Sequence, residues 1–159
     1  SDTAAMVDRG RELALLASEG LQVAVKVPAT ENGFGVARRL AATGAAITLT
    51  AVYTPAQIVA AAGFRAAYAA PYLGRLSDAD HDGPGLVLAM HEILGRTSTD
   101  TRLLTASLRS AGQVVDLARQ GLDTFTIGPA VCEELLDSKL TDEAAADFQR
   151  AALAMGDGT

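Results

Sequence analysis

The sequence has no tryptophan, a single cysteine and only 4% aromatic residues across 159 positions. With so few rings, the core has to be built from Ala, Val, Leu and Ile. The abundance of alanine favours helices, because alanine loses no side-chain entropy on entering one. Cys132 has no second cysteine to pair with, which fits a reducing cytoplasm. It lies in an apolar helical pattern with Val131, Leu135 and Leu136, where a packed and inert thiol is expected. No apolar run approaches the roughly 18 residues of a membrane-spanning helix. The formal charge is −6 and no Lys/Arg cluster tracks a phosphate backbone, so neither a membrane nor a nucleic acid is an expected partner. His81 in a loop, His91 on a helix and one cysteine assemble no metal set. Gly33-x-Gly35 lacks the third glycine of a dinucleotide fingerprint, and Ser107 lies in no G-x-S-x-G elbow. The acidic stretch Asp78 to Asp82 lacks EF-hand spacing and reads as a solvated turn.

What remains is an alternation of short β-branched runs with amphipathic stretches. Met6 to Leu16 reads as a helix stopped at Gly20. Val23 to Pro28 reads as a strand, with three valines on one parity and Ala24 and Lys26 on the other. Thr30 is placed to cap a helix through Phe34 to Ala42, closed at Gly44. Ile47 to Tyr53 is a second strand, and Thr54-Pro55 opens a helix to Gly63. Ala67 to Tyr72 is a third strand, followed by a loop from Ser77 to Gly85 and a helix from Leu86 to Leu94. Leu103 to Ser107 and Thr124 to Ile127 are fourth and fifth strands, flanking a helix from Ser110 to Arg119. Gly128-Pro129 opens the helix of Cys132, and Thr141-Asp142-Glu143 starts a terminal helix to about Met155. The pattern is that of a single α/β domain with five parallel strands and flanking helices. An open doubly wound sheet and part of a TIM-type (β/α)8 barrel both fit it.

Lys26, Thr50, Tyr72 and Ser107 fall at or near the C-terminal ends of successive strands, with Arg75 and Arg109 just beyond two of them. A barrel gathers those ends at one mouth, where barrel enzymes place their chemistry, whereas an open sheet spreads them along an edge. Lys26 stands on a strand otherwise made of Val and Ala, and is expected to line an interior. Desolvation there disfavours the ammonium form and frees the amine to attack a carbonyl. An edge-strand lysine that discourages aggregation is the other reading. Taken alone, Thr50 reads equally as a β-branched filler, and Arg75 and Arg109 as surface arginines.

Four motifs occur in register on consecutive strands: Val25-Lys26-Val27-Pro28, Thr48-Leu49-Thr50-Ala51-Val52-Tyr53, Ala70-Pro71-Tyr72-Leu73-Gly74-Arg75 and Ala106-Ser107-Leu108-Arg109. Together they resemble the transaldolase family, and within it the small branch that includes fructose-6-phosphate aldolase. The resemblance covers nearly the whole chain, from Met6 to the terminal helix. It implies that Lys26 forms a Schiff base with the donor sugar, and that retro-aldol cleavage leaves a dihydroxyacetone enamine on the lysine. It also implies that Thr50 orients the reacting oxygens and that Tyr72 moves a proton through a water. Tyrosine at that place is the aldolase branch's residue, where transaldolases proper commonly carry phenylalanine. Arg75, Ser107 and Arg109 match the family's phosphate pocket, although some relatives carry lysine at the Arg109 position. Neither a cofactor nor a metal enters such chemistry.

The family's lysine lies on the fourth barrel strand. The resemblance therefore makes residues 1–159 a single C-terminal portion of such a barrel, holding strands four to eight. The Asp, the Asn and the Gln or Glu that the family takes from its first three strands have no counterpart here. Ser1, standing where a methionine would begin a chain, agrees with a partial sequence. A separate chain completing the barrel, or self-association of a piece with open edges, would account for the same facts. The expected partners are a sugar phosphate and either copies of this chain or a missing N-terminal segment; alone, the chain is expected to be a weak or inactive catalyst. An alternative of another class is a non-catalytic phosphate-binding α/β module in which Lys26 is structural. A third is a flavodoxin-like nucleotide binder.

Overall fold

The computed structural model of the chain describes residues 2–156. Among the described residues, four strands form one parallel sheet. They are β1 (Ala24–Pro28), β2 (Ala46–Val52), β3 (Tyr68–Pro71) and β4 (Arg102–Leu103), hydrogen-bonded in that order. Helix α1 (Thr3–Leu15) precedes the sheet. Then α2 (Glu31–Ala41) links β1 to β2, α3 (Pro55–Gly63) links β2 to β3, and α4 (Leu73–Asp78) and α5 (Gly83–Gly95) link β3 to β4. After β4 come α6 (Ala111–Arg119), α7 (Pro129–Leu136) and α8 (Lys139–Gly156). The strand order follows the chain without reversal.

Two sequence expectations about elements need correction. Thr124 to Ile127 is not a fifth strand. It meets the sheet at a single bridge, where Thr105 N–H donates to the Thr124 carbonyl at 3.0 Å and Thr126 N–H to the Thr105 carbonyl at 2.9 Å. A strand needs a ladder to extend, and β4 is itself only two residues long. The loop expected from Ser77 to Gly85 is also shorter, because α4 runs to Asp78 and Asp82 caps α5 by accepting from Gly85 N–H at 2.9 Å.

The valine parity of β1 holds. Val25 and Val27 pack with Val36, Ala37 and Leu40 of α2, with Val7 of α1 and with Ile47 of β2. Leu49, Ala69 and Leu103 continue the same face into a second cluster with Ile58 of α3 and Met90 of α5. The helices therefore cover that face, while on the opposite parity Ala24, Lys26 and Ala46 are exposed and Thr48, beside Lys26, is buried.

Three of the helices that follow strand ends start at a short polar side chain, while α4 starts at Tyr72 without one. Thr30, Thr54 and Ser110 accept from the N–H groups of Gly33, Gln57 and Gln113 at 3.1, 3.4 and 3.2 Å. Gln57 also closes a reciprocal capping box. Its Oε1 accepts from Tyr53 and Thr54 N–H at 2.8 and 3.0 Å, and its Nε2 donates to the Ala29 carbonyl at 2.9 Å. One side chain thus ties the C-terminal ends of β1 and β2 together.

The C-terminal part is far less covered. Helix α7 buries Val131 alone, so Cys132 is exposed rather than packed as expected; of the apolar pattern around it, Leu135 and Leu136 are exposed too. On α8, Leu140, Phe148, Leu153 and Met155 are 78%, 74%, 65% and 76% exposed. No described helix is long and apolar enough to cross a membrane.

Replacing Gln57 with alanine removes three hydrogen bonds at once, and is expected to cost about 1–2 kcal/mol in urea unfolding. Gln57→Glu, which keeps the acceptor but not the donor to Ala29, is expected to lose part of that amount.

Candidate active site

Strand register brings the first of the expected site residues into a row. Lys26 lies beside Thr48, and Thr48 beside Tyr68, all on the face away from the helices. One step further toward the C-terminal rim, Pro28 lies beside Thr50. At a strand spacing near 4.8 Å and a rise of about 3.3 Å per residue, the Lys26 and Thr50 Cα atoms are roughly 8 Å apart.

Here β2 carries one residue too many. Leu49 pairs with Ala69 and Val52 with Pro71, so the ladder slips at Thr50-Ala51. Ala51 takes up the extra residue with φ 54°, in the left-handed region that a side chain disfavours. The bulge is held on both sides: Ala29 N–H donates to the Thr50 carbonyl at 2.8 Å, and Tyr72 N–H to the Val52 carbonyl at 3.3 Å. Its consequence is a contact between side chains that sequence reasoning had placed at one mouth. Thr50 Oγ1 and Tyr72 Oη are 2.9 Å apart, within hydrogen-bond distance. The Tyr72 ring meets Tyr53 edge to face at 6.0 Å, and the Arg75 guanidinium lies 5.4 Å from its centroid.

Ser107 and Arg109 assemble around the same segment. Leu73 and Gly74 N–H donate to the Ala106 and Ser107 carbonyls, each at 3.0 Å. Ser107 has φ 61°, a second strained residue at the rim. Gly74 has no room for a side chain: a Cβ would lie 2.4 Å from the Ser107 carbonyl oxygen, 2.7 Å from Arg109 Nε and 3.0 Å from Ser107 Oγ. The backbone of Arg109 is set by Gln113, whose Oε1 accepts from its N–H at 2.8 Å. The guanidinium of Arg109 pairs with Asp78 at the end of α4.

The expected residues therefore form two contacting groups, Thr50–Tyr72–Arg75 and Ser107–Arg109, joined by residues 72–75. Lys26 belongs to them by register and not by contact. It is exposed, where the sequence suggested a desolvated interior position, because nothing covers β1 on that face. Among the described residues no carboxylate pairs with it. The sequence assigned Gly74, Asp78 and Gln113 no role at the site. The Ser110-x-x-Gln113 spacing, a repeat of Thr54-x-x-Gln57, was the available signal for the last.

Among the described residues, hollows lie beside the sheet, two of which bear on the choice of site. One of about 560 Å³ adjoins the group and is lined by Tyr53, Arg75, Leu76, His81 and Leu86 among others. A larger one of about 910 Å³, lined by Leu21, Ala24, Ala46 and Tyr68 among others, lies at the N-terminal ends of the strands. The larger one is remote from the polar groups; in parallel α/β sheets ligands bind at the C-terminal ends, so the rim is the better candidate. Asp123 is also remote, beyond the start of β4. The Thr124 hydroxyl, and then Arg102, hold its carboxyl below the usual range.

Residues 1–157 match the family model described as Transaldolase/Fructose-6-phosphate aldolase. The chain belongs to the transaldolase/fructose-6-phosphate aldolase family. It is 34% identical over 147 residues to a probable transaldolase of Coprothermobacter proteolyticus, covering 92% of this chain and 66% of the relative. To a probable transaldolase of Rhodospirillum centenum it is 37% identical over 149 residues, covering 93% and 63%. To one of Nitrosopumilus maritimus it is 34% identical over 142 residues, covering 89% and 63%. The chain thus spans somewhat less than two thirds of the length of these transaldolase-family relatives.

Gly74→Ala is expected to lose about 1–3 kcal/mol in urea unfolding, because the backbone oxygen of Ser107 has to move. Gly35→Ala on α2, where a Cβ meets nothing within 4 Å, is expected to gain about 0.5–1 kcal/mol instead.

Proposed function

We propose that this chain carries the imine-forming and phosphate-binding part of a class I aldol site. It acts on sugar phosphates, in the manner of a cytoplasmic transaldolase or fructose-6-phosphate aldolase. The observation that carries the reading is the 2.9 Å Thr50–Tyr72 contact on the rim that also holds Ser107 and Arg109, two residues above the Lys26 row. The sheet supports an incomplete (β/α)8 barrel over a doubly wound sheet, since its order has no reversal and its helices cover one face only. In that frame the chain is the C-terminal portion of the barrel, and its bare face is the interior.

In the proposed cycle, Lys26 Nζ attacks the C2 ketone and water leaves. The protonated imine then accepts the electron pair of the breaking C3–C4 bond as the C4 hydroxyl gives up its proton. Tyr72, held by Thr50, passes that proton through a water. The enamine carbon then adds to an acceptor aldehyde and water hydrolyses the resulting imine to free the new ketose and Lys26, or the enamine is protonated and hydrolysed to dihydroxyacetone. Arg75, Ser107 and Arg109 hold the phosphate.

Completion of the barrel by further strands, or self-association, belongs to the same reading. The unpaired outer edge of β1 and the uncovered apolar residues of α8 support it. One observation favours a second reading: the exposed Lys26 is what a non-catalytic phosphate-binding module would show.

The test is cleavage of fructose 6-phosphate by the chain alone and with the first three strands of a relative supplied in trans. The chain alone is expected to be slow or silent, and the mixture faster. Lys26→Met is expected to silence the mixture, and Tyr72→Phe to slow it by about 10²-fold or more. An undiminished rate with Lys26→Met would refute the imine; undiminished phosphate binding beside lost activity would not.

A further inference from the structure

The ion pair between Asp78 and Arg109 joins residues 31 apart in sequence, from the end of α4 to the segment after β4. Both side chains are about half exposed, at 54% and 56%. An arginine offers an oxyanion two forks, one using Nε and one using the two terminal amines. The Nε of Arg109 packs against Gly74, at a point where not even a methyl group fits. That leaves the fork of terminal amines, and Asp78 holds one of those two nitrogens. Arg75, by contrast, has no carboxylate partner among the described residues and rests over the Tyr72 ring.

We infer that Asp78 is a displaceable stand-in for the substrate's phosphate, and so a specificity-determining residue acting through Arg109. An incoming anion has to take the fork from a carboxylate that is already there. A dianionic phosphate does so; a neutral sugar or a weakly basic anion does not. Without substrate, the same carboxylate keeps the guanidinium extended toward α4. Because this pair is solvent-exposed its hold is modest, which makes exchange feasible. The inference rests on the reading of Arg109 as a phosphate ligand, and the test separates the two.

Inorganic phosphate is titrated calorimetrically into the wild-type chain, Asp78→Asn, Arg109→Met and the double variant, at one fixed low ionic strength. Asp78→Asn is expected to tighten phosphate binding about twofold to fivefold, and Asp78→Glu to return it to the wild-type value. Arg109→Met is expected to weaken it about tenfold or more. In the Arg109→Met background Asp78→Asn is expected to change nothing, as a pair acting through one contact requires. Unchanged or weaker binding by Asp78→Asn overturns the inference, since Asp78 would then be idle or would orient Arg109 for the anion. Equal tightening in both backgrounds also overturns it, as a general effect of charge. Wild-type affinity in Arg109→Met, or no binding by the wild type, removes the phosphate reading and this inference with it.

Discussion

The rim of the sheet depends on one extra residue in β2. Three steps from Leu49 to Val52 answer two from Ala69 to Pro71, and Ala51 absorbs the difference in a left-handed conformation. Such a conformation costs about 1–2 kcal/mol for a residue with a side chain. It persists where the surroundings over-determine it, and here hydrogen bonds on Thr50 and Val52 do so. Thr50 is thereby turned to the Tyr72 phenol, a neighbour that the regular ladder does not give it. Ser107 repeats the device on the far side, with its carbonyl taken by Gly74 N–H. Strain at both ends of residues 72–75 makes this segment the seam of the site.

Around that seam the cations differ in kind. Arg75 is stacked on an aromatic ring and Arg109 is held by a carboxylate, so one is set by packing and the other by charge. Lys26 is different again, with neither contact, at a position on β1 that the chain itself leaves exposed. On the proposed reading, covering that face turns a solvated ammonium into a lining amine, and desolvation then favours the neutral form that attacks carbonyls. Catalytic power would then reside in an enclosure to which this chain contributes one wall.

Local chemistry was legible in the sequence, and enclosure was not. The alternation of Val25 and Val27 with Ala24 and Lys26 marked the buried face of β1, since parity is a property of the strand alone; Val23 lies before the strand and is half-buried. Thr30 and Thr54 announced their helices because a cap acts within one turn. Thr124 to Ile127 has the composition of a strand, yet pairing requires a neighbour, and β4 ends at Leu103, leaving a single bridge from Thr105 beyond it. Burial of Lys26 and of Cys132 failed for the same reason, as each needs an opposing surface that spacing cannot supply. Thr50 and Tyr72 were placed at one mouth from their strand ends, and they do meet. Asp78 was read as part of a solvated turn, because its partner lies far along the chain.

The most direct measurement is borohydride trapping: the folded chain is incubated with dihydroxyacetone, reduced, and mapped by peptide mass spectrometry. The account predicts a reduced three-carbon adduct on Lys26, strengthened when the first three strands of a relative are supplied. No adduct on Lys26 in that mixture, with the protein shown to be folded, would contradict it.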